Sequence, residues 1–257
     1  MRGTLTIAWR DFRALVTTPL FYIVAGLCSG IWALWFPNFL SNFAMQSQHM
    51  MGMEGGGGNL HYQVFGFHIS TVNLLMLFAI PAISMKFFTE DKKSNTFDLL
   101  LTAPVTSTQI VMGKFIAGVA AAWILVFVSM IYPLSVWFGG VSEIQWGPLF
   151  SAYFGMMLLT ASYIAIGMFA SSLTNSILLA VVLGFIFNLM FWFIGSATEM
   201  TDSPTLVAIY EYLSVGEHFF KGFVKGTIKI TSIMFFISVI GLNCFLTQRV
   251  VESARWR

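Results

Sequence analysis

"IQWGPLFSAYFGMMLLTASYIAIGMFASSLTNSILLAVVLGFIFNLMFWFIGSAT", residues 144–198, contains no Asp, Glu, Lys or Arg over 55 positions. A single helix of that length would reach about 80 Å at 1.5 Å per residue, against roughly 30 Å of hydrocarbon in a bilayer. The run must therefore fold back on itself. Its turn is legible in "SSLTNS", Ser171 to Ser176, where short polar side chains offer the backbone alternatives to the helix. Two membrane spans result, one from about Pro148 to Ala170 and one from about Ile177 to Gly195.

Four further apolar stretches are long enough to cross: Pro19 to Pro37, His68 to Phe88, Ile110 to Phe138, and the segment between Lys229 and Arg249. With 9% of 257 residues charged and 57% hydrophobic, the composition is far from the quarter charged that is usual in soluble domains. The expected fold is an all-α integral membrane protein with six transmembrane helices, forming one domain over residues 1–257. A net charge of +2 gives no case for nucleic acid. Cys28 and Cys244 lie in apolar runs, as small hydrophobes do, and one distant pair makes no metal or disulfide framework. Arg10, Asp11 and Arg13 precede the first apolar run without a small-residue cleavage pattern, so no removable signal peptide is expected.

An even number of spans puts both termini on one side, and the basic residues choose that side. Arg2, Arg10 and Arg13, then Lys86, Lys92, Lys93 and Lys114, then Arg249, Arg255 and Arg257 make ten on the terminal side; Lys221, Lys225 and Lys229 make three on the other. Both termini and residues 89–106 are expected in the cytoplasm, residues 38–67 outside. In residues 1–18, Leu5, Ala8, Trp9, Phe12 and Val16 share one helical face, which reads as an interfacial helix.

The 89–106 loop concentrates charge at Glu90, Asp91, Lys92 and Lys93. Asn95 can cap a helix whose third position is Asp98, with Phe97, Leu100 and Leu101 on one face, and Pro104 ends it. Thr106 and Gln109 have capping-box spacing ahead of the third span. Glu90-Asp91, Asn95-Thr96, Leu99-Leu100-Leu101 and Pro104-Val105 resemble the acidic pair, Gly-Thr, leucine-rich helix and proline of type-2 ABC transporter permeases. The likeness is to the branch of gliding-motility and nitrous-oxide-reductase maturation permeases, with Asn95 in place of the usual Gly. "YFGMMLLTASYIAIGMFASSLTNS" and "EHFFKGFVKGTIKI" are similar to two further blocks of that family.

The resemblance implies that this loop is a coupling helix seated in a groove of a separate ATPase subunit. The residues so implicated are Glu90, Asp91, Lys92, Lys93, Asn95, Thr96, Phe97, Asp98, Leu100, Leu101 and Pro104, with Ser171, Ser172 and Thr174 at the turn between the fourth and fifth spans. It also implies a second permease subunit, membrane lipids as surroundings, an inner-membrane location, and no cofactor on this chain, with ATP and Mg held by the partner. Gly113-Lys114 lacks the earlier Gly and the following Ser or Thr of a Walker pattern, so any ATP hydrolysis falls to the partner and the chain is not itself an enzyme.

In residues 198–228, expected to form an external loop with short helices, Ser214 and Glu217 have capping-box spacing. Glu217, Phe219, Phe220 and Phe223 are the external candidates, either as an interfacial anchor or near a substrate exit. Met45, His49, Met50, Met51, Met53 and His61 could offer soft ligands, but their spacing is irregular and Gly55 to Gly58 would be costly to order, so no metal site is assigned. Three other functions compete. A secondary transporter or channel would need ionisable residues inside the bundle, and none is read within the six spans. An intramembrane enzyme would need a nucleophile and base or a metal set at membrane depth, and no buried His, Asp or Glu is read beside the Ser and Thr there. A structural scaffold is opposed by the family blocks alone.

Overall fold

The computed structural model describes residues 2–50, 59–94, 96–97, 105–140, 144–201 and 203–255. Among them there is no strand, and six helical stretches are long and apolar enough to cross a membrane: Pro19–Gln48, His61–Lys93, Ser107–Phe138, Trp146–Ser172, Ile177–Thr198 and Ile230–Ala254. The elements run α1 (Arg2–Thr17), α2 (Pro19–Met50), a π-helical turn (His61–Phe65) leading into α3 (Gly66–Ser84), α4 (Lys86–Lys93), α5 (Ser107–Ser129) and α6 (Ile131–Phe138). Then come α7 (Trp146–Ser172), α8 (Ile177–Phe193), α9 (Pro204–Leu213) and α10 (Ile230–Arg255).

Helix boundaries obey local chemistry. Thr106 accepts from the Gln109 N–H while the Gln109 side chain accepts from the Thr106 N–H, so the expected capping box starts α5. Ser176 accepts from the Leu179 N–H and starts α8, which fixes the turn expected between the fourth and fifth spans. Two prolines depart from expectation. The first span is expected to end at Pro37, yet α2 continues to Met50. Proline removes one helical hydrogen bond, but the residues beyond it suit a helix, and the Asn38 side chain donates to the Leu34 carbonyl at 2.7 Å.

Pro133 has the opposite effect. Without an N–H it leaves the Ser129 carbonyl short of its helical donor, and the expected single span over 110–138 breaks into α5 and α6 at Met130. His68 supplies the missing partner: its Nε2 donates to the Ser129 carbonyl at 3.1 Å from within a group of rings formed by Trp32, Phe36 and Tyr132.

The fourth span, α7, is the hub, with 78% of its most apolar stretch buried against 17% for the fifth. Small residues let neighbours approach it, as is usual between membrane helices. A Cβ on Gly167 would lie 2.1 Å from Ser84 Oγ, and one on Gly155 would lie 2.5 Å from Phe223 Cγ. Tyr163 is fully buried on the same helix, donating to Asn73 Oδ1 at 3.1 Å while its carbonyl accepts from Asn188 Nδ2 at 3.5 Å.

This packing makes a paired prediction on one helix. Gly155→Ala should destabilise by about 1–3 kcal/mol through overpacking against Phe223. Gly147→Ala, with nothing within 4 Å of its Cβ, should be neutral or gain up to about 1 kcal/mol. Thermal unfolding in detergent separates the two; equal midpoints would refute the close contact.

Candidate functional site

The end of the bundle that carries α1 gathers most of the charged side chains. α1 lies against the start of α5, and their closest approach is at Gly113, where a Cβ would stand 2.8 Å from Ile7 Cγ2 and 3.0 Å from the Thr4 carbonyl. Leu5 and Trp9 remain exposed on the opposite face of α1. Asp11 points inward, toward the next residue on α5.

That residue is Lys114. Sequence patterning counts it with the connection between the second and third spans and reads no ionisable residue within a span; it lies instead two turns inside α5, with a side chain only 4% exposed, because two carboxylates reach it there. Its Nζ stands 3.0 Å from Asp11 Oδ2 and 2.7 Å from Asp91 Oδ2, the latter an ion pair without hydrogen-bond alignment. The Phe88 ring lies 5.4 Å below. Arg10 meets the other oxygen of Asp11 at 2.8 Å. Burial works to lower the Arg10 pKa, but the hydrogen bond and charge of Asp11, with Asp91 beyond, hold it above its ordinary value. Two cations and two carboxylates thus close a neutral group joining α1, α4 and α5.

A second set of contacts fixes α4 to the end of α7. A one-residue turn at Met85 separates α3 from α4. Ser171 bridges it: its hydroxyl accepts from the Phe88 N–H at 3.1 Å and donates to the Met85 carbonyl at 2.9 Å. Lys92 Nζ donates to the Ser172 carbonyl at 2.6 Å and to the Thr174 carbonyl at 3.4 Å. It thereby serves the unpaired carbonyls at a helix C-terminus. Lys92 also lies 5.8 Å from the Phe97 ring, which packs edge-on against Phe88.

The structure therefore brings Asp91, Lys92, Phe97, Ser171, Ser172 and Thr174 together. Glu90 stands apart, 4.0 Å from Lys86, and Lys93 is exposed. Thr96 turns back to the Asp91 carbonyl through both its N–H and its hydroxyl. Phe97, expected on an outward apolar face with Leu100 and Leu101, is only 8% exposed and turned into the chain, because Phe88 and the Lys92 stem offer it cover. Asn95, Asp98, Leu100, Leu101 and Pro104 lie outside the described residues.

Asp11 and Lys114 are not among the sequence-derived site residues, although a signal for them exists. A lone acid in a basic, amphipathic leader and a lone lysine two turns into an apolar run each need a partner, and each is the simplest partner for the other.

At the opposite end, the external candidates do not share one surface. Phe219 and Phe223 are fully buried, Phe220 is half-buried, and Glu217 pairs with Lys221, raising the lysine's pKa by hydrogen bond and charge. Ser214 accepts from the Glu217 N–H at 3.4 Å, which is half of the expected box. Two histidines pin this cap. His218 lies between the Tyr212 carbonyl and Ser232 Oγ, and His61 Nε2 donates to the Val224 carbonyl at 2.7 Å. Of the soft-ligand residues, His61 is buried in that bond and Met45 is exposed on α2; Met51 and Met53 lie outside the described residues. Among the described residues, no three His, Cys, Asp or Glu side chains are grouped to hold a metal.

The buried ion group predicts an asymmetry. Lys114→Met alone strands Asp91 and leaves Asp11 with Arg10 only, and should cost about 3–5 kcal/mol, whereas adding Asp11→Asn and Asp91→Asn should restore most of the loss. Denaturant or thermal unfolding of the single and triple variants tests this, and a single variant as stable as the parent would refute it.

A comparison with curated proteins gives no match. The sequence model of the ABC-2 family transporter proteins matches residues 5–240, from α1 into the last span. On that match and on six membrane-length helices, the chain is a multi-pass membrane protein and belongs to the ABC-2 family, as a permease component of an ABC transporter.

Proposed function

We propose that residues 86–106 receive force from a separate ATPase subunit and pass it into the bundle. The observation that supports this best is the double anchorage of α4: the Lys114 group ties it to α1 and α5, and Ser171 with Lys92 ties it to the end of α7. A loop held at its base in this way moves with three helices rather than alone. Leu100 and Leu101 supply the apolar contact with the ATPase, Glu90 and Lys93 the flanking charges, and Phe97 holds the loop to its base. ATP and Mg belong to the partner.

In this reading the chain pairs with a second permease subunit in the inner membrane, with both termini in the cytoplasm, and ATP-driven closure of the ATPases alternates the subunit interface between two arrangements. The output is substrate export or mechanical work. The charge distribution favours ATP over an ion gradient as the driving force. Among the described residues, every Asp, Glu, Lys and Arg within the six spans lies near the end that carries α1, whereas gradient-coupled carriers keep such groups at mid-membrane.

Leu100→Ala with Leu101→Ala should abolish co-purification with the cognate ATPase and lower its permease-dependent ATP turnover at least tenfold, while leaving thermal stability of the permease unchanged. Unaltered co-purification and turnover would overturn the assignment. Topology has its own test. With Cys28→Ala and Cys244→Ala in place, Asn59→Cys should react with an impermeant maleimide added to whole cells and Ser94→Cys should not; the reverse pattern would place the loop on the wrong side for an ATPase.

A further inference from the structure

The helix α2 is longer than a membrane crossing requires. Its 32 residues reach about 48 Å at roughly 1.5 Å per residue, whereas roughly 20 residues cover the hydrocarbon. Counted from Pro19, where the chain leaves α1, that length ends at Asn38; counted back from Lys86 through α3, it ends at Phe67. The two ends meet, because Phe39 and Phe67 stack there with ring centroids 5.8 Å apart and planes 28° from parallel. Aromatic rings are usual at the edge of the hydrocarbon, and a cavity lies on each side of this pair.

On the outer side of the pair, a cavity of about 250 Å³ is lined by the carboxamides of Asn42, Gln46 and Gln63 and by Phe39, Phe43 and Phe67. Gln63 Oε1 is buried and has no hydrogen-bond partner among the described residues, so it calls for a donor. On the hydrocarbon side, a cavity of about 540 Å³ shares Phe39, Asn42 and Phe67 with the first and adds Trp35 and Leu74. A space of that size falls within the roughly 300–1,000 Å³ of ligand sites. The other polar groups around it are already committed to the backbone: Asn38 Nδ2 donates to the Leu34 carbonyl, Ser70 Oγ to Gly66 and Thr71 Oγ1 to Phe67. Among the described residues, no charged side chain lines either cavity.

We propose that the two cavities form a binding site for one lipid whose head is uncharged and bears hydroxyl groups, as in a hexosyl diacylglycerol. A hydroxyl both donates and accepts, so it can serve Gln63 Oε1 while accepting from the Asn42 or Gln46 amide. The acyl chain lies in the larger cavity along Trp35 and Leu74. The absence of charge selects the head: a phosphodiester would enter the outer cavity with no cation to meet it, and burying an unpaired charge is costly. The site stands apart from residues 86–106 and does not depend on an ATPase.

The test is native mass spectrometry of the intact chain in detergent, given equimolar hexosyl diacylglycerol, phosphatidylglycerol and phosphatidylethanolamine with matched acyl chains. The wild type should retain one hexosyl lipid per chain, at least fivefold over either phospholipid. Asn42→Leu with Gln63→Leu keeps the apolar walls and should bring the three lipids to within about twofold of one another. Retention in proportion to supply by the wild type, a preference for either phospholipid, or unchanged selectivity in the double variant would each overturn the site. So would a dimer of the chain that forms without lipid and is lost in the double variant, since the face would then belong to a second copy. The wild-type selectivity alone is decisive should the double variant fold poorly.

Discussion

A single ammonium governs the charged end of this protein. Lys114 is carried into a setting where an unpaired charge would cost several kcal/mol, and it is tolerable there because two carboxylates from different helices converge on it. Asp11 can reach it because α1 lies close on Gly113. Asp91 can reach it from α4, which follows α3 at Met85. The positions of α1 and α4 and the depth of α5 are thus mutually conditional: shifting any one would strand a charge. Hydrophobic packing alone is non-directional and would not define these relations so sharply in a bundle with lipid on its outside.

The rest of the bundle is organised by small residues around α7 and by backbone groups that proline leaves open. Gly155 and Gly167 admit Phe223 and Ser84 at distances no other side chain would allow. Pro133 frees the Ser129 carbonyl, and His68 of α3 satisfies it. The histidines that look available for chemistry are instead hydrogen-bonded to backbone: His61 to Val224, His218 to Tyr212, His68 to Ser129.

Legible in the sequence is whatever depends on length and local chemistry. Span number comes from apolar run lengths, and the starts of α5 and α8 from Thr106 and Ser176, since a cap is a contact between residues three apart. Illegible is whatever depends on residues brought together from afar. Lys114 looks like a loop cation because charge normally marks a loop, and only its distant partners Asp11 and Asp91 make its burial tolerable. Pro37 and Pro133 are the same residue type with different outcomes, one helix continuing to Met50 and another breaking at Met130. The difference lies in the residues after each proline and in the groups within reach of the freed carbonyl, which the surroundings set. Helical spacing turns Phe97 outward, yet Phe88 and Lys92 draw it in.

Ser171 also limits how this chain can drift. Most positions on a membrane helix accept any apolar residue of similar size, so random substitution leaves the fold intact along many routes. Position 171 is different: its hydroxyl both accepts from Phe88 and donates to Met85, within a fully buried site. Alanine would leave the Phe88 N–H unserved and the Met85 carbonyl with the Thr89 hydroxyl as its side-chain donor, and threonine would push a methyl group into a closed space. The joint therefore depends on a single oxygen atom, whereas the exposed faces of α2, α8 and α10 carry no such demand.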